Sequence, residues 1–304
     1  MAPQRAGPDI VSYVLLAGQV VCTGTIFYFT ALALSGFSAT AAGGGRLIVA
    51  ALFLVPVSII FGAGLAKSRS GWLWATVYAF VGMVIPSYAL SWAQQFLPTN
   101  VTAIMYSTVP LLILFWSRVI LQIQISVRKW IGFAIGLGGL ILLIGPDAVV
   151  ELGRGGSFLP KLAVLLACFC LGGLAIIIRI MPKTSPLQAT ASALSIAALF
   201  SVPLVVASPP TTAPSLAAVT GLLAAGIIST AGTLVIRFTL VARRGPVFVS
   251  WNGYLAALFA VVFGVVFLGE ELDLTTTIAF AVIMCGLLIA KDKSRSAPAT
   301  SSEF

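Results

Sequence analysis

Side chains that carry reaction chemistry are missing from this sequence where they would be needed. Its 304 residues include no histidine, and all eight Asp and Glu lie in tails or in breaks between long apolar runs. Catalysis inside such runs needs a positioned acid, base or metal cluster. A proton relay there needs a buried Asp, Glu or His, and no phosphate-cradling P-loop pattern is present. No catalytic residue, metal or cofactor is therefore expected. The groups that remain are suited to binding. Arg46, in Gly43-Gly44-Gly45-Arg46, is the one ionisable residue placed well inside an apolar run. It either faces a cavity as an electrostatic contact for a carboxylate, or snorkels outward and bonds helix-end carbonyls.

Aromatic and polar residues form a second set of candidates. Tyr78, Gly82 and Tyr88 flank Pro86-Ser87; Tyr106 and Ser107 precede Thr108 and Pro110; Ser229 is followed by Thr230 and Thr233; Trp251, Asn252 and Tyr254 fall together. Gln19, Thr23 and Tyr28 add to them. Hydroxyls and amides in an apolar surround need partners. Singly they bond across helices or to their own backbone; gathered with aromatics and helix-breaking prolines they point to a lined cavity for an amphipathic small molecule. Trp72, Trp74, Trp116 and Trp130 fit an interfacial belt instead. Cys22, Cys168, Cys170 and Cys285 all lie in apolar runs and read as reduced thiols.

The elements that must position these residues follow from composition. The chain is 60% hydrophobic and 8% charged, against about 25% charged in a soluble domain. The apolar residues form runs of the length needed to cross a bilayer as helices, without the alternation of a β-barrel. Ten spans are expected, at 10–34, 40–61, 72–96, 101–121, 128–144, 160–180, 187–206, 215–241, 247–268 and 275–290. Short Gly- and Pro-containing breaks separate them. The first run is expected to stay in place as a helix, lacking a small-residue cleavage site.

Charge orients this array. The net charge of +9 is spread one to three residues at a time between spans, which argues against nucleic acid as a partner. With ten spans, fourteen of the seventeen Lys and Arg, Arg237 counted among them, fall on the face that holds the termini; Arg154 and Lys161 fall opposite, and Arg46 lies within a span. The termini are thus expected in the cytoplasm. The segment 10–144 reads as one five-helix repeat, 145–159 as a linker, 160–290 as a second repeat and 291–304 as a disordered polar tail, its closing Ser-Ser-Glu-Phe resembling a cloning remnant. Leu121 to Gly139 and Leu268 to Gly286 match in spacing, and Leu97-Pro98 and Arg244-Gly245 open corresponding helices. Five spans per half make the second half enter the membrane in the opposite sense, an inverted repeat. Gly132, Gly136 and Gly139 mark close helix packing.

Several stretches together resemble the drug/metabolite transporter superfamily in its ten-helix EamA-like branch. They are Arg46-Leu47-Ile48-Val49-Ala50-Ala51, the stretch from Ala89 to Val101, Pro110, Leu268-Gly269-Glu270 and the Gly-rich fifth and tenth helices. Within it the chain is most similar to the YddG-type exporters of aromatic amino acids. Two departures stand out: Gln122-Ile123-Gln124 replaces Gly-Glu in the first half, and Ala193 lies near the place that would match Arg46.

The resemblance implies an all-α integral membrane fold, two inverted five-helix repeats around a central cavity. Helices 3, 4, 8 and 9 would line it, helices 1 and 6 would close its sides, and helices 5 and 10 would pack away from it. It also implies a secondary transporter of the bacterial inner membrane, working as a monomer among lipids, that exports aromatic or other apolar amino acids by alternating access. Without a membrane-embedded acid, uniport is expected. The rival is a multidrug or cationic-metabolite effluxer, with cation–π contacts in place of the missing acid; a channel or an intramembrane enzyme is more remote.

Overall fold

The computed structural model describes residues 10–122, 126–144, 158–210, 213–249, 251–271 and 273–290. The expected linker and polar tail lie outside these, apart from Phe158 and Leu159. Regular structure among the described residues is entirely helical. Ten long helices are described: α1 (Ile10–Leu34), α2 (Ala39–Ile60), α3 (Arg69–Ala93), α4 (Thr99–Ile120), α5 (Val127–Ile144), α6 (Phe158–Ile180), α7 (Pro186–Val206), α8 (Leu216–Arg244), α9 (Trp251–Leu268) and α10 (Leu274–Ala290); one helical turn, Pro246–Val249, precedes α9. Seven of them are long and apolar enough to cross a membrane by length and composition. Caps set several starts: the hydroxyls of Ser38, Ser68, Ser185 and Ser215 accept backbone N–H bonds at α2, α3, α7 and α8.

The molecule is apolar on its outside. Leu52 is 72% exposed and Leu199 77%, and Ile60, Val206 and Val266 also face outward, whereas Ala, Gly, Ser and Thr fill the interior. Water would not tolerate that surface and lipid does. Where the solvent is as apolar as leucine, helices associate through small residues that let backbones approach.

Packing repeats with the halves exchanged. α1 packs on α8 and α9, as α6 does on α3 and α4; α2 packs on α7 and α8, as α7 does on α2 and α3; α5 packs on α10. Adding five to each label maps this set onto itself. The α5–α10 seam shows the relation atom by atom. A Cβ on Gly139 would meet the Ile283 nitrogen at 2.9 Å and the Ala279 carbonyl at 3.0 Å, and one on Gly286 would meet the Gly132 carbonyl at 2.6 Å and the Gly136 Cα at 2.9 Å. The offset that carries Leu121 onto Leu268 also carries Gln122 (φ 52°) onto Gly269 (φ 65°), the left-handed residues that end α4 and α9. With five spans in each half, the repeat is inverted.

Irregular backbone is confined to the middle of the bundle. α3 contains a π-helical stretch, Phe80–Val84, and α8 contains another, Ala225–Gly232. These are repeat-equivalent helices. Pro86 lacks the N–H that would continue the α-helical ladder of α3. In α8, Gly226 lies against α2, where a Cβ would approach the Arg46 carbonyl at 2.9 Å. α4 divides at Ser107 and Thr108, just before Pro110.

Candidate functional site

Where the halves meet, α1, α2, α3, α4, α6 and α8 enclose a cavity of about 60 Å³. Both π stretches face it, through Gly82 and Met83 on one side and Ser229 and Thr230 on the other. A π turn shifts side chains out of α register and frees carbonyls, and such turns gather at functional sites. Here Thr230 returns its hydroxyl to the Ala225 carbonyl at 2.7 Å. Arg46 reaches the cavity from α2 while 4% exposed. Its Nε donates to Ser87 Oγ at 2.6 Å and a terminal nitrogen donates to Thr30 Oγ1 at 3.3 Å; Ser87 in turn donates to the Gly43 carbonyl at 2.7 Å. Arg46 therefore does not snorkel outward. It points inward and ties α2 to α1 and α3.

A second arginine lines the same cavity. Arg237 of α8 is 6% exposed, and a terminal nitrogen donates to the Tyr106 hydroxyl at 3.1 Å. Its Nε has no partner. The count that set Arg237 on the cytoplasmic face is thereby corrected. Arg237 and Tyr106 also border a smaller hollow of about 20 Å³, which reaches Asn252 and Gly253 of α9. Asn252 donates to Thr23 Oγ1 at 3.2 Å, and Thr23 pairs with Thr233 at 3.3 Å. With Thr25 and Ser229 3.2 Å apart, these bonds fix α1 and α8 as antiparallel neighbours. One further turn of that register brings Gln19 level with Arg237. Both polar atoms of the Gln19 amide and Asn252 Oδ1 are buried without partners. Among the described residues neither arginine forms an ion pair.

Comparison with known proteins fits this architecture. The profile of the EamA-like transporter family matches the chain twice, over residues 10–145 and 159–290. The chain belongs to that family. As an EamA-like transporter it is a multi-pass membrane carrier of the drug/metabolite superfamily, a group of transporters rather than enzymes. No curated protein matches it. One solved crystal structure superposes with a TM-score of 0.68 over 92% of this chain and 97% of its own, at 16% identity; a likeness at that distance speaks for the fold alone.

The residues singled out from sequence separate in the structure of this EamA-like transporter. Gly82, Tyr106, Ser229 and Arg46 line the cavity, and Asn252 borders the smaller hollow. Tyr78 is fully buried, packed against Phe238, and lines neither space. Tyr88 sits at the α2–α3–α7 junction, its hydroxyl against Gly44. Ser107 and Thr108 turn their hydroxyls back to carbonyls of their own helix. These are corrections to the lining: single hydroxyls were satisfied locally, and Tyr78 and Tyr88 face neighbouring helices. The side chains of Trp251 and Tyr254 lie outside the described residues. α2 joins the expected lining helices through Arg46 and Leu47, and the described residues of α9 touch only the smaller of these two spaces. Sequence reasoning missed Arg237, although Ser229, Thr233 and Arg237 recur every four residues along one face of α8. A larger cavity, about 710 Å³, lies between α4, α5 and α6 and is lined almost wholly by Leu and Phe, with Thr108 and with Trp92 of α3. It has the make-up of a lipid-facing crevice.

Proposed function

We propose that this EamA-like protein is a secondary transporter for small carboxylate-bearing metabolites. Aromatic and other apolar amino acids and their deaminated acids fall within that class. It moves them outward across a bacterial inner membrane by alternating access, as a monomer and as a uniporter without a proton carrier of its own. One observation carries this reading: two arginines, from different halves, line one buried cavity with no carboxylate beside them among the described residues. Burying an unpaired guanidinium is costly, and a cargo that brings a carboxylate recovers part of that cost each time it binds. The ring of Tyr106, held edge to face by the buried Phe27 at 5.3 Å, and Leu47, Leu90 and Leu234 supply an apolar wall next to the charge. At about 60 Å³ the cavity holds only a small head group, so a bulky side chain enters as the halves part. The two cations count against the multidrug and cationic-metabolite alternative, because a cation would be repelled from the site. With Arg237 inside α8, thirteen basic residues remain on the terminal face against Arg154 and Lys161, which supports cytoplasmic termini.

Counterflow in liposomes tests the reading. Loaded phenylalanine or phenyllactate is expected to drive saturable uptake of its labelled counterpart, while a quaternary amine does not. Exchange of the amine alone would reject the carboxylate assignment.

A further inference from the structure

Building on that reading, we infer that the preferred cargo is a net anion, an organic acid without a compensating ammonium group, held between Arg46 and Arg237. The lining supplies two guanidinium groups and otherwise only hydroxyls and apolar side chains. Arg237, which lines the cavity, keeps a buried donor without a partner. The acceptor of Asn252, which borders the adjoining hollow and bonds the Thr23 hydrogen-bond knot, also lacks one; Gln19, one turn before Thr23 on α1, has an unpartnered amide. A zwitterion leaves the site's charge at plus two and must place its ammonium near a guanidinium. A monoanion reduces that charge by one and a dianion cancels it. Inside a buried cavity, where charges act through a lower dielectric than in water, cargo charge ranks affinity.

Geometry supports the same conclusion. Arg237 uses one terminal nitrogen on Tyr106, while its Nε is buried and idle. A guanidinium edge with open donors matches the two oxygens of a carboxylate. Arg46 is anchored differently, by two hydroxyls that fix its fork without neutralising it. Fixing a cation with neutral partners keeps its charge available for a ligand. The two arginines belong to α2 and α8, which the repeat does not interchange, so duplication does not explain their meeting.

Thermal stabilisation of the purified full chain, with two matched ligand series, tests this directly. Phenylsuccinate, phenyllactate, phenylalanine and phenylalaninamide share a ring and step from dianion to cation; succinate, lactate, alanine and alaninamide repeat the steps without it. Stabilisation is expected to fall in that order in at least one series, with each anion binding about tenfold or more tighter than its zwitterion. Arg237→Gln is expected to flatten the ranking and Arg237→Lys to keep its order, a contrast that a merely structural arginine would not give. Should Arg237→Gln fail to fold, Arg237→Lys with the wild type still decides the ranking. Amino acids that stabilise as well as or better than their hydroxy acids would overturn the net-anion inference and leave the carboxylate transporter standing. No response to any carboxylate in either series would bring down both.

Discussion

Glu270 shows how one side chain joins the halves. Its carboxylate accepts the Thr99 N–H at 2.6 Å and the Asn100 N–H at 2.7 Å, closing the start of α4 from the loop after α9. Helix N-termini carry unpaired donors and partial positive charge, so a carboxylate is the matching cap. Glu270→Ala is expected to destabilise by about 1.5–3 kcal/mol, as for loss of a charged hydrogen-bond partner. Glu270→Gln, which keeps an acceptor, should lose less. Melting temperatures in detergent are expected in the order wild type, Gln, Ala; equal values for all three would refute the cap. The Leu268-Gly269-Glu270 motif was visible in the sequence, but its partner was not, because a cap contact links residues far apart along the chain. Arg46 was visible as a charge out of place. Arg237 was hidden by its neighbours Arg243 and Arg244, which made the end of α8 read as an ordinary basic loop.

At the scale of elements, the ten long helices were legible to within about four residues at each end, since apolar run length and Gly or Pro breaks decide where a span begins and ends. The π stretches were not. A π turn leaves hydrophobic pattern and length intact, and only Pro86 hinted at one. The α5–α10 seam was partly legible, through its glycines, but which helix they contact depends on the fold. Gly286→Ala and Gly139→Ala should each cost about 1–3 kcal/mol, because the new methyl meets backbone at both positions, together with the Ile283 side chain at Gly139. Melting of the two variants is the check, and the repeat requires similar losses. A loss at one position with none at the other would contradict the seam as described.

For the whole molecule, orientation is the prediction to test. A reporter fused to either end, active only in the cytoplasm, is expected to be active, and both ends should resist protease added outside intact cells; one protected and one cleaved terminus would reject an even number of spans. Composition sufficed to show a bundle with an apolar exterior, and the duplication was legible in the spacing of Leu121 and Leu268. The location of the cavity was less so, because it depends on which polar side chains find partners at home. Ser107 and Thr108 satisfy themselves, whereas Gln19 and Arg237 do not.

The clasp at Glu270 has a consequence for the carrier's working cycle. The repeat would place its twin at Ile123, and isoleucine has no carboxylate to close the start of α9. A fold symmetric in its helices is thus unequal in its doors: one face is latched by a carboxylate on a helix end, and at Ile123 the sequence offers no carboxylate for the other. In the proposed alternating-access cycle, passage through the latched door has an extra pair of bonds to break, so the two half-reactions are expected to run at different speeds. On that cycle the carrier is expected to rest for longer open to one side of the membrane than to the other, even with equal cargo on both.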